Sequence, residues 1–456
     1  MQVATRDRLT KEERARWTGA ALALVELRYP AKAIAGDSVP ESGRLLPHAL
    51  AVLSHSSCDE VYPALAARVL RRTAIYMSAR GLHTRAKEQL EHALSLFERA
   101  QELDRSQIGG AHWELGMVLY AIGEGAAACE SLRKGASLLE GEKGFAGKTI
   151  FPQCLVSLAW VQRTLGDFEG TVATARRCIQ HVVAVAGAGH PLVAMSLAPM
   201  ARAQWSLNQI SEARSSAAQA RAILEAVPNP LPIVCGTWYA LAQVYMDLGL
   251  LDAAFACATR GHAVGEPAYG IDHPLVCLNV RILGGVHLRR GDLPAARSAL
   301  QAALESGERA CRHLHEDIAI ARTELACAAN QAKDSDSALS LVRHALDGLH
   351  NLCGDPARFE GETRATLARV LRDRGAWQES IEQAAAALRA ISGRYGDAHP
   401  LRVPALDALG MALRDGGRDE ESSAAFAEAA SLARAAALPG QGERTDAAAG
   451  EGLQPA

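Results

Sequence analysis

Three clusters in this chain have the residue types that chemistry uses. The first is GEKGFAGKT, Gly141 to Thr149, which approaches a phosphate-binding loop whose backbone N–H groups wrap the phosphates. That pattern requires a glycine where Glu142 stands; Gly141 comes one residue too early, and a helical pattern precedes the stretch where a strand is needed. It reads as a loop, and no nucleotide or other cofactor is expected. The second cluster is Cys311, His313, His315, Glu316 and Asp317. Side chains at i and i+2 diverge on a helix, and no second ligand pair lies nearby, so no metal is expected. The third comprises His190, His273 and His399, each followed by Pro in a Gly-x-x-His-Pro context: GAGHP, GIDHP and GDAHP. A histidine recurring in one local context is punctuation rather than a catalytic base. Without a nucleophile elbow, an H-E-x-x-H, a dinucleotide fingerprint or a carboxylate pair, the reading is that the chain is not an enzyme.

The elements around these clusters repeat. Asp272 to Ala303 carries a helical apolar pattern (Val276, Val280, Leu283, Val286), a turn at Gly291, and a second helical pattern (Ala295, Ala296, Leu300, Ala303). Equivalents of the turn fall at Gly81, Gly123, Gly166, Asn208, Gly249, Gly291, Lys333, Gly375 and Gly417, about 42 residues apart. Eight of the nine are Gly or Asn, the residues that tolerate a left-handed helix end. A small residue stands seven before each turn (Ala74, Gly116, Ala159 and onward to Gly410), and another stands twelve after it. Small residues at two fixed offsets predict nine helical hairpins whose paired helices lie close together.

This register resembles the tetratricopeptide repeat in its longer, kinesin light chain-like form, with Gly-x-x-His-Pro at the junctions, over about residues 61–437. The resemblance implies an all-α, right-handed superhelical solenoid of about nine hairpins. It also implies that first-helix residues 10, 6 and 3 before each turn line a concave groove. In this chain those offsets select Trp113, Tyr120, Trp160, Arg163, Arg202, Trp205, Tyr239, Arg281, Arg369, Arg372 and Arg414. The middle repeats are thus expected to be aromatic and the last ones basic. Trp160 with Arg202 and Arg163 with Trp205 stand 42 residues apart, which predicts a checkerboard of rings and guanidiniums that matters to binding more than to stability.

Residues 1–60 fall outside the register and read as an N-terminal helical cap. Thr10 and Glu13 form a capping box opening a helix that carries Trp17, Leu22, Leu24, Val25 and Leu27 and ends near Tyr29-Pro30. A loop with Gly36 and Pro40 follows, and a second helix is expected from Gly43. The cap segments RDRLTKEERARW, ELRYP and GRLLPHALAVLSH are similar to the linker before the repeats in actinobacterial NB-ARC-type signalling ATPases. By that likeness the chain is a sensor arm standing without its motor. Repeat 7, around Lys333, departs from the turn rule, which predicts a bend or looser packing. Residues 438–456 (PGQGERTDAAAGEGLQPA), without apolar period, are expected to be a disordered tail.

Composition narrows the function classes. With 48 Lys and Arg against 51 Asp and Glu, no basic field attracts nucleic acid or a membrane surface. The most apolar window, His181 to Ala201, is interrupted by Gly187, Gly189, His190 and Pro191, so no membrane span is expected. Ten cysteines without a C-x-x-C read as buried thiols, and the charged N-terminus lacks a secretory pattern; both point to a cytoplasmic protein. The expected role is a non-catalytic scaffold, regulatory or signalling, that binds a protein or peptide segment in its groove. A sensor of a small ligand or signal peptide controlling a separate effector is the alternative, and a second copy of the chain is a further partner this reading admits.

Overall fold

The computed structural model describes residues 9–30, 38–55, 57–100, 104–310, 315–349 and 356–436. Among them are 21 helices and no strand. Three form the cap: α1 (Lys11–Arg28), α2 (Ser38–Leu53) and α3 (Ser57–Val61). Nine hairpins follow. They are α4 (Pro63–Ala79) with α5 (His83–Arg99), α6 (Arg105–Ala121) with α7 (Gly125–Leu139), and α8 (Phe151–Thr164) with α9 (Phe168–Ala186). Next come α10 (Pro191–Ser206) with α11 (Ile210–Glu225), α12 (Cys235–Asp247) with α13 (Leu251–Tyr269), and α14 (Pro274–Arg289) with α15 (Leu293–Ala310). The last are α16 (His315–Gln331) with α17 (Ser335–Leu349), α18 (Pro356–Asp373) with α19 (Trp377–Tyr395), and α20 (Val403–Asp415) with α21 (Asp419–Ala436).

Each turn landmark has positive φ, from 58° at Asn208 to 86° at Gly123, and Lys333 adopts 65°. At eight of the landmarks the next residue closes back onto the helix, as Leu82 N–H onto the Met77 carbonyl and Asp334 N–H onto the Ala329 carbonyl, both at 2.9 Å. These are Schellman-type ends. The small residues seven before the turn face the residue nine after it, and the two volumes compensate. A Cβ on Gly116 or Gly284 would stand 2.6 Å from Cγ of Leu132 or Leu300, and one on Gly410 2.9 Å from the Phe426 ring. Where Ala occupies the first position, Ala175, Ala217, Ala258 and Ala384 stand opposite Ala159, Ala201, Ala242 and Ala368, while Ala74 and Ala326 meet the larger Leu90 and Val342.

The packing divides into two compact units. The described residues up to Leu165, with Thr174–Gly187, form one; Gly166–Ala173, with the residues from Ala188 onward, form the other. Thr10 and Glu13 make the capping box reciprocally, at 3.2 and 2.9 Å. Of the cap residues, Leu22 is buried but Trp17, Leu24 and Leu27 are exposed, so α1 covers the hairpins with one narrow stripe. α2 begins at Ser38 rather than at Gly43. Pro40 sits in its first turn, where no N–H is needed, and Gly43 serves close packing beneath the Tyr76 hydroxyl. Repeat 7 is a regular hairpin with Val342 and Ala345 fully buried. An open groove of about 640 Å³ lies between α15 and α17, lined among others by Arg297, Ser298, Leu325 and Ser340. The tail beyond residue 436 lies outside the described residues.

Candidate binding surfaces

In three pairs of successive hairpins the first helices are tied as a ladder in one register, a residue ten before one turn reaching a residue nine before the next. Arg71 grips Glu114 at 2.6 and 2.8 Å and Gln107 at 2.6 Å. Arg281 repeats the arrangement with Glu324 at 3.5 Å and Asp317 at 3.3 Å, and the Tyr239 hydroxyl donates to Asp317 at 3.2 Å. Glu324 and Asp317 sit in their repeat where Glu114 and Gln107 sit in theirs, so the chain builds one buried module twice. Burial alone would lower the Arg281 pKa, but Tyr239, Glu324 and Asp317 outweigh it and hold the guanidinium charged. The sequence reading omitted Arg71; applying its own offset to the first hairpin finds it.

In the first unit the same ladder shapes a surface on α6 and α8. The Trp113 indole N–H donates to Ser157 Oγ at 3.0 Å, and the hydroxyls of Tyr120 and Thr164 meet at 3.2 Å. These bonds stand the two rings between neighbouring helices. Arg163 lies 5.7 Å from the Trp160 ring centroid, and its Nη2 reaches Thr164 Oγ1 at 3.5 Å. Its Nε–H is buried with no hydrogen-bond partner. Met117 and Tyr120, 40% and 37% exposed, border this group. The structure therefore brings together Trp113, Tyr120, Trp160 and Arg163: a half-buried aromatic floor beside a cation with an unused donor.

Arg202, Trp205, Tyr239 and Arg281 belong to the second unit and are buried there, Trp205 to 4% and Arg281 to 2%. The guanidinium over Trp205, at 4.7 Å, is that of Arg358 on α18. Arg358 pairs with Asp247 at 2.6 Å, and both side chains are below a tenth exposed. The His399 ring meets Trp205 edge-on at 4.9 Å. The expected checkerboard draws its two halves from different units, and its second half is packed by the unit's own later repeats. The basic group at the end is charge-balanced. Arg372 contacts Asp373 at 2.9 Å and Asp415 at 3.8 Å, and Arg414 contacts Asp415 at 3.7 Å. Arg369 donates to the Ala365 carbonyl at 3.3 Å.

The junction histidines are helix caps. Nδ1 of His190, His273 and His399 accepts from the N–H of Leu192, Leu275 and Leu401 at 3.3, 3.2 and 3.2 Å. In GEKGFAGKT, Ala146–Ile150 form a π-helical turn running directly into α8, and His181 Nε2 donates to the Gly147 carbonyl at 2.8 Å. Cys311 and His313 lie outside the described residues, and Asp317 is engaged with Arg281. Among the described residues no group of three His, Cys, Asp or Glu is placed to share a metal. Burial pushes the Cys154 and Cys257 thiols up to about 12 and that of Cys235 to about 11, so they remain neutral packing groups. No helix is long and apolar enough to cross a membrane among the described residues.

Residues 236–260 and 275–349 each match a family model described as tetratricopeptide repeat. No curated protein matches the chain. A Rap protein complexed with Competence and Sporulation Factor is similar in structure, with a TM-score of 0.52 and 14% identity over 76% of this chain and 89% of that one. Aspartyl phosphate phosphatase F from Bacillus subtilis gives 0.49 and 13% over 76% and 96%. A kinesin light chain-like repeat protein from Podosopora anserina gives 0.34 and 17% over 44% and 95%.

Proposed function

Starting from a chain of tetratricopeptide-type hairpins, an architecture used for protein interaction, we propose a non-catalytic scaffold that binds a protein segment across α6 and α8. The observation that carries this reading is Arg163: a guanidinium with a buried, unpartnered Nε–H, set against Trp160 and bordered by exposed Met117 and Tyr120. An unmet buried donor is unfavourable, and a carbonyl or carboxylate of a bound segment would satisfy it once the partly exposed Arg163 side chain turns toward the segment. Trp, Tyr and Arg together are also the residue types that dominate binding hot spots. The resemblance of the cap segments to the linker of NB-ARC-type signalling ATPases supports a signalling role in the cytoplasm. A second reading, a sensor of a signal molecule controlling a separate effector, is supported by the Rap protein of similar fold, which was solved complexed with Competence and Sporulation Factor.

A peptide library displayed on phage and selected on the immobilised full chain tests the site. Selected peptides should lose ≥ ~2 kcal/mol, roughly 30-fold, in Arg163→Ala and in Trp160→Ala. Failure to enrich any peptide, or affinities untouched by both substitutions, would overturn the assignment.

A further inference from the structure

The last junction of the second unit sits on the unit's first turns. Arg394 places its guanidinium 4.9 Å over the Phe168 ring and donates to the Gly166 carbonyl. Tyr395 stacks on the same ring, with centroids 6.1 Å apart and planes 22° from parallel. Asn208 Nδ2 donates to the Ala398 carbonyl at 3.4 Å. His399 uses both nitrogens. Nδ1 accepts the Leu401 N–H, so Nε2 carries the proton and donates to the Trp205 carbonyl at 3.1 Å. Leu401 packs in one apolar cluster with Trp205 and Ala213.

These partners lie 190 to 228 residues apart in sequence. A hairpin stack holds together through nearest neighbours, so α18 to α21 retain their own packing whether or not this contact is made. The contact is therefore additional to the stack, and its chemistry is that of a bound segment. One cation and one aromatic meet the Phe168 ring, and main-chain carbonyls meet side-chain donors: Gly166 with Arg394, Trp205 with His399 and Ala398 with Asn208.

We propose that Gly166, Phe168, Trp205 and Asn208 form a docking site for a segment carrying Arg-Tyr-x-x-x-His. The chain's own Arg394–His399 fills it in cis, and a partner protein presenting the same chemistry displaces that segment. The partner is thus a protein with an exposed basic–aromatic stretch, unlike the carbonyl or carboxylate sought by Arg163. Repeat 8 is held on repeats 4 and 5 independently, by Arg358 paired with Asp247 and set over the Trp205 ring, so that contact stays when Arg394–His399 leave.

The probe is a fluorescein-labelled peptide of residues 390–405, AISGRYGDAHPLRVPA, titrated by anisotropy into full-length protein. An intramolecular occupant competes at an effective concentration near millimolar, so wild type should bind at least roughly tenfold more weakly than Arg394→Ala/Tyr395→Ala. Adding Phe168→Ala to the opened variant should abolish binding. Circular dichroism confirms that each variant is folded. If the double variant is not, Arg394→Ala alone, with an exposed side chain, replaces it and should shift affinity the same way. Equal affinity for wild type and the opened variant, no binding to either, or indifference to Phe168→Ala would overturn the proposal.

Discussion

The first-helix faces of the two units carry the same kinds of residue to different ends. On α6 and α8 of the first unit, Trp113 and Tyr120 are held by hydrogen bonds to Ser157 and Thr164, and the Arg163 Nε–H has no hydrogen-bond partner. On α10, α12 and α14 of the second unit, Arg281 is enclosed by Asp317, Glu324 and Tyr239, and Trp205 lies beneath Arg358 and His399. Register alone does not make a binding residue. The group standing in the next hairpin differs: Trp113 and Tyr120 meet the hydroxyls of Ser157 and Thr164, whereas Arg281 meets the carboxylates of Asp317 and Glu324.

The largest expected effect comes from Arg358→Ala, which leaves Asp247 buried without its partner. Urea unfolding should show about 3–5 kcal/mol lost, whereas Arg358→Met with Asp247→Leu should be near neutral. If the single variant is as stable as wild type, the second face is not closed as described. Next, Trp205→Ala should lower stability by about 3–5 kcal/mol, while half-buried Trp160→Ala should lower it by about 1 kcal/mol. Equal losses in thermal melts would erase the distinction between the faces.

A smaller effect depends on pH. Burial raises the Asp407 pKa, with Arg369 opposing. The folded protein then binds this proton more tightly than the unfolded chain, so ionisation opposes folding. The disadvantage is absent below the ordinary value of 3.8 and grows as pH rises through the raised value. Asp407→Asn should therefore match wild type in acid and exceed it near neutrality in chemical unfolding; the reverse trend would place Asp407 in a net favourable pair. Smallest is Arg414→Ala. Its side chain is 60% exposed and its pairing with Asp415 is weak, so stability should stay within about 0.5 kcal/mol. A larger loss would show that the terminal arginines do structural work.

Much of the fold could be read because it is local. The nine turn positions, Lys333 among them, follow from spacing and from what a left-handed backbone tolerates. The capping box at Thr10 and Glu13 likewise depends on residues three apart. Gly43 misled the reading because a glycine needed for contact with Tyr76 looks the same as a turn glycine. The buried ladder was half legible: Arg281 was singled out, but its partners Asp317 and Glu324 lie 36 and 43 residues on and acquire meaning only once neighbouring hairpins are in register. The seating of His399 on Trp205 was not legible at all, since 194 residues separate them and the same Gly-x-x-His-Pro occurs at His190 and His273.

The contrast between the two faces is tested most directly by hydroxyl-radical footprinting of the native full-length protein, read residue by residue by mass spectrometry. Met117 and Tyr120 should oxidise readily, while Trp205 and Tyr239 remain protected, and Arg394→Ala/Tyr395→Ala should raise labelling at Trp205. Oxidation of Trp205 as fast as Tyr120 in the wild type would contradict a second face closed by its own last repeats.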